Sequence, residues 1–477
     1  MRSAFGLTAI LLLAGCNLAP RHVTPALSTP SEFPPEVSPE GTVAAADIGW
    51  RDFFLDERLR ALIVQTLENN RDLRIAVARI EEARGLYRIQ RAEQLPQLGG
   101  SGSVTRNRVG AETLGTPDSI TSTNYDIGVA VPSFDVDFWG RVRNLSAAAR
   151  AQYLATVAGE RAFRIALIRD LATAYITSRS LAEQAEQADR AVAAREGGLR
   201  LAKLRLDAGV TSALDYRQAE ALLTQAQTEV ASLRNQRAQQ RNIVRLLVGS
   251  PIDEEALAPA RRLSDQGIIR DINAGLPSEL LTHRPDIIQA EEALRAARAN
   301  IGAARAAFFP TISLTGTAGF ASPSLDNLFS DDGVSWTFGP SISIPIFDWG
   351  ARKGNLVVAR ARETIEVATY ERTVQIAFRE VSDALSDRKF LAEQIVAQQR
   401  AVNAQQAITR LARLRYNNGV AQFLEVLDAE RNLFSAQQTL IQLRGAQLSS
   451  LVTLYAALGG GIAGPSPLNA TGIDGSR

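Results

Sequence analysis

The chain has 477 residues, with 52 Lys and Arg against 51 Asp and Glu, one Cys, one Met and two His. Near-neutral charge gives no broad attraction to nucleic acid or to an anionic membrane surface. One cysteine excludes an intrachain disulfide, and His22 and His283 alone cannot build a multi-histidine metal site.

The chain opens with Met1 and Arg2, an apolar run from Ala4 to Leu13, and then Leu13-Ala14-Gly15-Cys16. A basic start, a short apolar core and small residues before a cleavage point predict a signal peptide over residues 1–15. The apolar run is shorter than the roughly 20 residues of a membrane-spanning helix. Leu-Ala-Gly-Cys resembles the bacterial lipobox, which makes Cys16 the expected site of acylation. Asn17 follows it rather than the Asp that tends to retain such lipoproteins at the inner membrane, so the resemblance points to the outer membrane. Pro20, Pro25, Pro30, Pro34, Pro35 and Pro39 then predict an extended, lipid-anchored tether over residues 16–45.

No later segment is apolar enough for a spanning helix, so a membrane crossing by this chain requires strands. Tyr125, Ile127, Val129 and Val131 alternate with Asp126, Gly128 and Ala130. Farther on, Ile312 and Leu314 alternate similarly within residues 311–320. Trp336, Phe338, Ile342, Ile344 and Ile346 then alternate with small polar residues within 335–347. One apolar and one small polar face suits an outer-membrane strand, or a half-buried sheet of a soluble protein.

Between Pro132 and Pro251, and again between Pro345 and Pro465, proline is absent and Ala, Leu, Arg, Gln and Glu dominate. Each stretch is interrupted once, at Leu206-Asp207-Ala208-Gly209-Val210 and at Tyr416-Asn417-Asn418-Gly419-Val420. Gly209 and Gly419 supply helix stops. Each stretch therefore predicts two antiparallel helices, the first arms covering about residues 141–207 and 351–417, each about 100 Å long. Seven-residue steps through Val426/Leu427, Leu433/Phe434, Leu440/Ile441, Gln447/Leu448 and Leu454/Tyr455 predict coiled-coil packing. Tyr216, Leu223, Val230 and Val244 keep the same step, interrupted by Arg237.

Trp139 and Trp349, Gly140 and Gly350, and Gly209 and Gly419 all differ by 210 positions. A constant offset from strand end to helical turn means a duplicated unit. We expect a first repeat over residues 46–265, a second over 266–464, and a flexible tail over 465–477. Trp139 and Trp349 sit where strand meets helix, suited to a membrane interface or to packing at that corner. Two strands per repeat give four per chain, too few to close a membrane barrel of about eight or more. Three chains would close twelve, wide enough for a lumen.

With these features the chain resembles the TolC-type outer-membrane factor family, in the lipoprotein branch serving resistance-nodulation-division efflux pumps. The carriers are Cys16, the doubled strand-pair and long-helix repeat, and the two turns. The first turn reads Leu204-Arg-Leu-Asp-Ala-Gly209-Val-Thr-Ser-Ala-Leu214-Asp215, and the second Tyr416-Asn-Asn-Gly419-Val-Ala-Gln-Phe-Leu424-Glu425-Val-Leu427-Asp428. The resemblance implies an α+β membrane protein: a homotrimeric twelve-strand barrel continued by an α-helical periplasmic tunnel. It implies partners in a periplasmic adaptor and an inner-membrane transporter, and a passive duct for small toxic compounds. It also places Asp215, Tyr416, Glu425 and Asp428 near a constriction at the periplasmic tip, beside Gly209 and Gly419. Asp215, Glu425 and Asp428 equally suit first helical turns, where acids meet the helix dipole favourably. Asp207 reads as a turn residue. Some relatives place an Arg two residues after the second glycine, where this chain has Ala421. The alternatives are the exit duct of a type I secretion system and an envelope coiled-coil lipoprotein without a pore. Absence of a nucleophile–histidine–acid set, a phosphate loop or a metal cluster leaves no expected enzyme activity, cofactor or metal.

Overall fold

The structure is a computed structural model describing residues 17–26, 30, 33–34, 43–45, 48–115, 117–253, 262–269, 272–274 and 280–460. The predicted signal peptide, Cys16, much of the tether and the tail over 465–477 lie outside the described residues. The elements, in chain order, are β1 (Val43–Ala44), α1 (Glu57–Asn69), α2 (Arg71–Ala92), β2 (Gly99–Val109), β3 (Ile120–Val136), α3 (Arg141–Asp207) and α4 (Ala213–Val248). There follow β4 (Ile272–Asn273), α5 (Pro285–Ala306), β5 (Thr311–Ser322), β6 (Val334–Ser343), α6 (Ala351–Asn417) and α7 (Phe423–Ala457).

The duplication is written in these bounds. Helices α3 and α6 have 67 residues each and start 210 positions apart. Helices α2 and α5 have 22 residues each and start 214 positions apart. Two compact units result, each drawing on both halves of the sequence.

The first unit holds Arg79–Val157, Gln289–Glu371 and the described residues of Met1–Ala26. Its centre is a four-stranded antiparallel sheet in the order β2-β3-β5-β6. Opposed residues share a face, so Val129, Ala318 and Trp336 lie on one side and Ala130, Thr317 and Thr337 on the other. The first side is apolar and exposed, with Trp336 at 72% and Phe338 at 66%. The second is small and hydroxylated: Thr317 and Thr337 hydroxyls meet at 2.6 Å, and those of Ser313 and Ser341 at 2.8 Å. Strands β3 and β5 approach closely at Gly128 and Gly319, where an added Cβ would meet the opposing backbone at 2.7 Å and 2.2 Å. Strand β6 stops at Ser343 rather than continuing through Phe347, because Pro345 has no N–H for a ladder. Strand β2 has no counterpart among the predicted segments. Its sequence, Gly-Gly-Ser-Gly-Ser-Val-Thr-Arg-Asn-Arg-Val, lacks an apolar alternation, and all of it is exposed.

In the same unit α3 and α5 pack on each other through alanines, Ala148 and Ala151 against Ala296 and Ala299. Small side chains let helix backbones approach closely. The described tether residues 17–26 are tied to α5: Arg305 donates to the Leu18 carbonyl at 2.9 Å and Arg298 to that of Val23 at 2.7 Å. The His22 ring lies 3.0 Å from Glu291.

The second unit holds the described residues of Leu27–Ala78, Ala158–Ile288 and Arg372–Arg477. Its helices pack in the seven-residue steps read from the sequence. Leu223, Val230 and Val244 on α4 are buried, as are Val426, Leu427, Leu440, Ile441, Leu448, Leu454 and Tyr455 on α7. Near β1 and β4, which pair in parallel, Tyr455 stacks on Phe53 at 3.9 Å and donates to the Ile48 carbonyl at 2.6 Å. The buried Tyr175 hydroxyl donates to Asp56, which caps α1 through the Arg58 and Leu59 amides. Burial, reinforced by the Asp56 charge, pushes Tyr175 up to about 12. Arg284, also buried, is held by Asp286, Glu380 and the Ala457 carbonyl, all within 3.0 Å. His283 ends the short helix Leu280–His283.

Candidate functional site

The two hairpin turns close with one backbone device. After α3, Gly209 (φ 71°) donates to the Leu206 carbonyl at 2.9 Å, and Val210 donates to Arg205 at 2.9 Å. After α6, Gly419 (φ 72°) donates to Tyr416 at 3.0 Å, and Val420 donates to Arg415 at 2.9 Å. This paired return satisfies carbonyls that the helix end leaves open. An added Cβ would meet nothing within 4 Å at either glycine, so the left-handed backbone, not crowding, demands glycine there. Asp207 is the last residue of α3.

Beyond the glycines the turns diverge. In the first, Ser212 caps α4 by accepting from the Asp215 amide at 3.3 Å, and the Thr211 hydroxyl donates to the Asp215 carboxylate. Asp215 thus lies in the first turn of α4, near the positive end of its dipole. In the second, Gln422 makes no side-chain cap. Glu425 lies in the first turn of α7 and pairs with Arg415 at 3.3 Å. Asp428 sits one turn later, outside the first turn expected for it, and pairs with Arg431 at 3.1 Å.

Tyr416 is half-buried, with its ring 5.0 Å from that of the buried Phe423. The Arg205 guanidinium lies 4.6 Å from the Tyr416 ring centroid, so this cation–π contact spans the two turns. Below it, Ala202, Ala219 and Leu222 of the first hairpin pack with Ala412, Val426 and Leu427 of the second. The structure brings Tyr416, Gly419 and Glu425 together around Arg415 and Phe423. Asp215, Glu425 and Asp428 bond to three separate partners.

Arg205 and Arg415 were not singled out from the sequence, although they share the 210-residue offset that marks the glycines. Arg195 was also missed. It is 6% exposed, donates to the Leu222 carbonyl at 2.9 Å and lies 5.3 Å from the Phe434 ring. Burial pulls its pKa down, partly offset by Glu430. It lines a groove of about 450 Å³ with Arg190, Arg410, Arg413, Leu414 and Phe434. Among the described residues, no group of three or more His, Cys, Asp or Glu could hold a metal ion. No described helix is long and apolar enough to cross a membrane. The turns work by charge and packing: a hydroxyl-held carboxylate at the first, two carboxylate–guanidinium pairs at the second, and a cation–π contact between them.

Comparison with known proteins agrees with this architecture. Residues 62–250 and 276–460 match the family model described as outer membrane efflux protein. The chain is 42% identical over 454 residues to the probable efflux pump outer membrane protein TtgC of Pseudomonas putida, covering 94% of this chain and 93% of that one. It is 40% identical over 459 residues to the cation efflux system protein CusC of Escherichia coli, covering 94% and 97%. The crystal structure of the open state of the Neisseria gonorrhoeae MtrE outer membrane channel superposes with a TM-score of 0.85 at 37% identity, covering 94% of this chain and 99% of that one. A doubled strand-pair and long-hairpin unit, shared along nearly the whole length with such proteins, places the chain in the outer membrane efflux protein family.

Proposed function

We propose that this chain is the outer-membrane channel of a tripartite efflux pump, acting as a lipid-anchored homotrimer that passively conducts small toxic compounds outward. The observation carrying this reading is the four-stranded sheet with one exposed apolar face, one hydroxylated face and two open edges. Open edges are not tolerated in lipid, so copies must join. Three copies give twelve strands, a barrel wide enough to conduct. Acylation of Cys16 after removal of residues 1–15 supports anchoring, with the tether residues 17–26 leading onto α5.

In this reading the hairpin turns form the periplasmic gate. Asp215, Tyr416, Glu425 and Asp428 are its side chains, and Gly209 and Gly419 its backbone caps. Threefold repetition turns each carboxylate into a ring that favours cations. A periplasmic adaptor docks on the turns and the arginine-lined groove beside them, and an inner-membrane resistance-nodulation-division transporter supplies the energy. The residues at the turns hold and release the aperture and carry out no covalent chemistry.

Single-channel conductance in a planar bilayer, with native mass measured alongside, tests this. Wild type should be a trimer with small, cation-preferring currents. Replacing Glu425 and Asp428 by Ala removes the partners of Arg415 and Arg431 and should enlarge the current. Unchanged conductance in the double variant would remove the gate assignment, and a monomer without channels would remove the barrel.

A further inference from the structure

The two strand-to-helix corners of the first unit carry the same Trp-Gly pair, Trp139-Gly140 and Trp349-Gly350, but are partnered differently. At the first corner, Trp139 donates its indole N–H to the Pro310 carbonyl at 3.0 Å and stacks on Phe309 at 4.5 Å. This contact lies where β3 pairs with β5, with Val136 directly opposite Ile312. At the second corner, Trp349 is 91% exposed, and its one ring contact among the described residues is with its near neighbour Phe347, at 4.7 Å. Trp349 is also the one non-glycine among the described residues with positive φ, at 54°. A bulky side chain in that region is strained.

The duplication supplies the missing half of this contact. Adding 210 carries Trp139 to Trp349 and Val136 to Ile346. Subtracting 214 carries Phe309, Pro310 and Ile312 to Leu95, Pro96 and Leu98. The segments correspond in chemistry, Leu-Pro-Gln-Leu against Phe-Pro-Thr-Ile. Every member of this second set lies open within the chain: Ile346 is 93% exposed, Leu98 78% and Leu95 68%. Trp349 follows the β6 edge and Leu95 precedes the β2 edge, the two unpaired edges of the sheet.

We infer that Trp349 of one copy docks on Leu95 of a neighbouring copy and donates its indole N–H to that copy's Pro96 carbonyl. The same docking sets the strand register, with Ile346 opposite Leu98 of the neighbour. The occupant is a second copy of this chain, because only that copy carries the repeat-related surface that the Trp139 contact already displays. This inference rests on the trimeric reading and adds to it a named latch and a register. The first corner joins the two repeats within a chain, and the second joins one chain to the next by the same contact.

Photocrosslinking of the full-length protein tests the latch. Trp349 is replaced by p-benzoylphenylalanine, and chains labelled with heavy and light nitrogen are expressed together, purified and irradiated. The expected product is a peptide containing residues 95–98 joined to the peptide carrying position 349, with heavy and light chains mixed in one adduct. A trimer in which position 349 reacts elsewhere, only within its own chain, or not at all overturns the inference alone. A monomer overturns it together with the trimeric reading. Should the probe-bearing chain fail to assemble, Leu98→Cys combined with Ile346→Cys decides the matter. Oxidation should yield covalent dimers and trimers on a denaturing gel, and an assembled trimer without that ladder sinks the inference.

Discussion

The two hairpin turns share a backbone and differ in nearly every side chain that matters. Both end in a left-handed glycine with the same pair of returning hydrogen bonds. Yet Thr211, Ser212 and Ala213 stand where the second turn has Ala421, Gln422 and Phe423. The first turn secures its acid with hydroxyls, whereas the second uses an ion pair and a buried ring. The helix stop is glycine in both repeats, the residue that takes that backbone most cheaply. The side chains were free to diverge, so one turn became a hydrogen-bonded cap and the other an aromatic and ionic cluster.

The sharpest way to break this comparison is Phe423→Ala. Truncating a buried Phe costs about 3 kcal/mol, and the first turn has only Ala213 there. Amide exchange should accelerate roughly 100-fold around residues 414–428 and less around 204–218, where Phe423 is met by the small Ala202 and Ala219 and by Leu222 of the same apolar cluster; equal acceleration at both turns would mean that they open as one cooperative unit. Next come Gly209→Ala and Gly419→Ala. With open space around both glycines, each should lose about 1 kcal/mol of stability from backbone conformation alone. Denaturant midpoints that differ clearly between the two would show the caps are not equivalent. The smallest effects separate the charges. Arg205→Ala should cost about 0.5–1 kcal/mol through its lost cation–π contact, with little dependence on salt. Arg415→Ala, which breaks a largely exposed pair with Glu425, should cost about 0.3 kcal/mol and fade at high ionic strength. Parallel melts in low and high salt would tell them apart.

Much of this was legible in the sequence, and the reason is the absence of proline. An uninterrupted run of good helix formers between two strong stops leaves the chain one choice, so α3 and α6 begin and end at the predicted residues. Strand β2 was not legible. A membrane strand is read from apolar alternation, and Gly99–Val109 substitutes glycine and serine for most of it, deriving its structure from pairing with β3. At the turns, the glycines announced themselves through their cap, and the acids through their place after it. Arg205 did not, because nothing local marks an arginine that will cross to a ring 211 positions away. Asp428 was placed one turn too early, since the helix start could be read only to within a few residues.

In the proposed channel the hydroxylated face of the sheet is the lumen wall, and this carries a consequence for traffic. Thr317 and Thr337, and Ser313 and Ser341, spend hydroxyls on one another across the strands. Their remaining lone pairs imitate a layer of water. A solute passing such a wall exchanges one hydration partner for an equivalent one and gains nothing by lingering. Residence on the sheet would then be brief for hydrophilic and greasy molecules alike, and throughput would be set by the loading step upstream, not by friction along the wall.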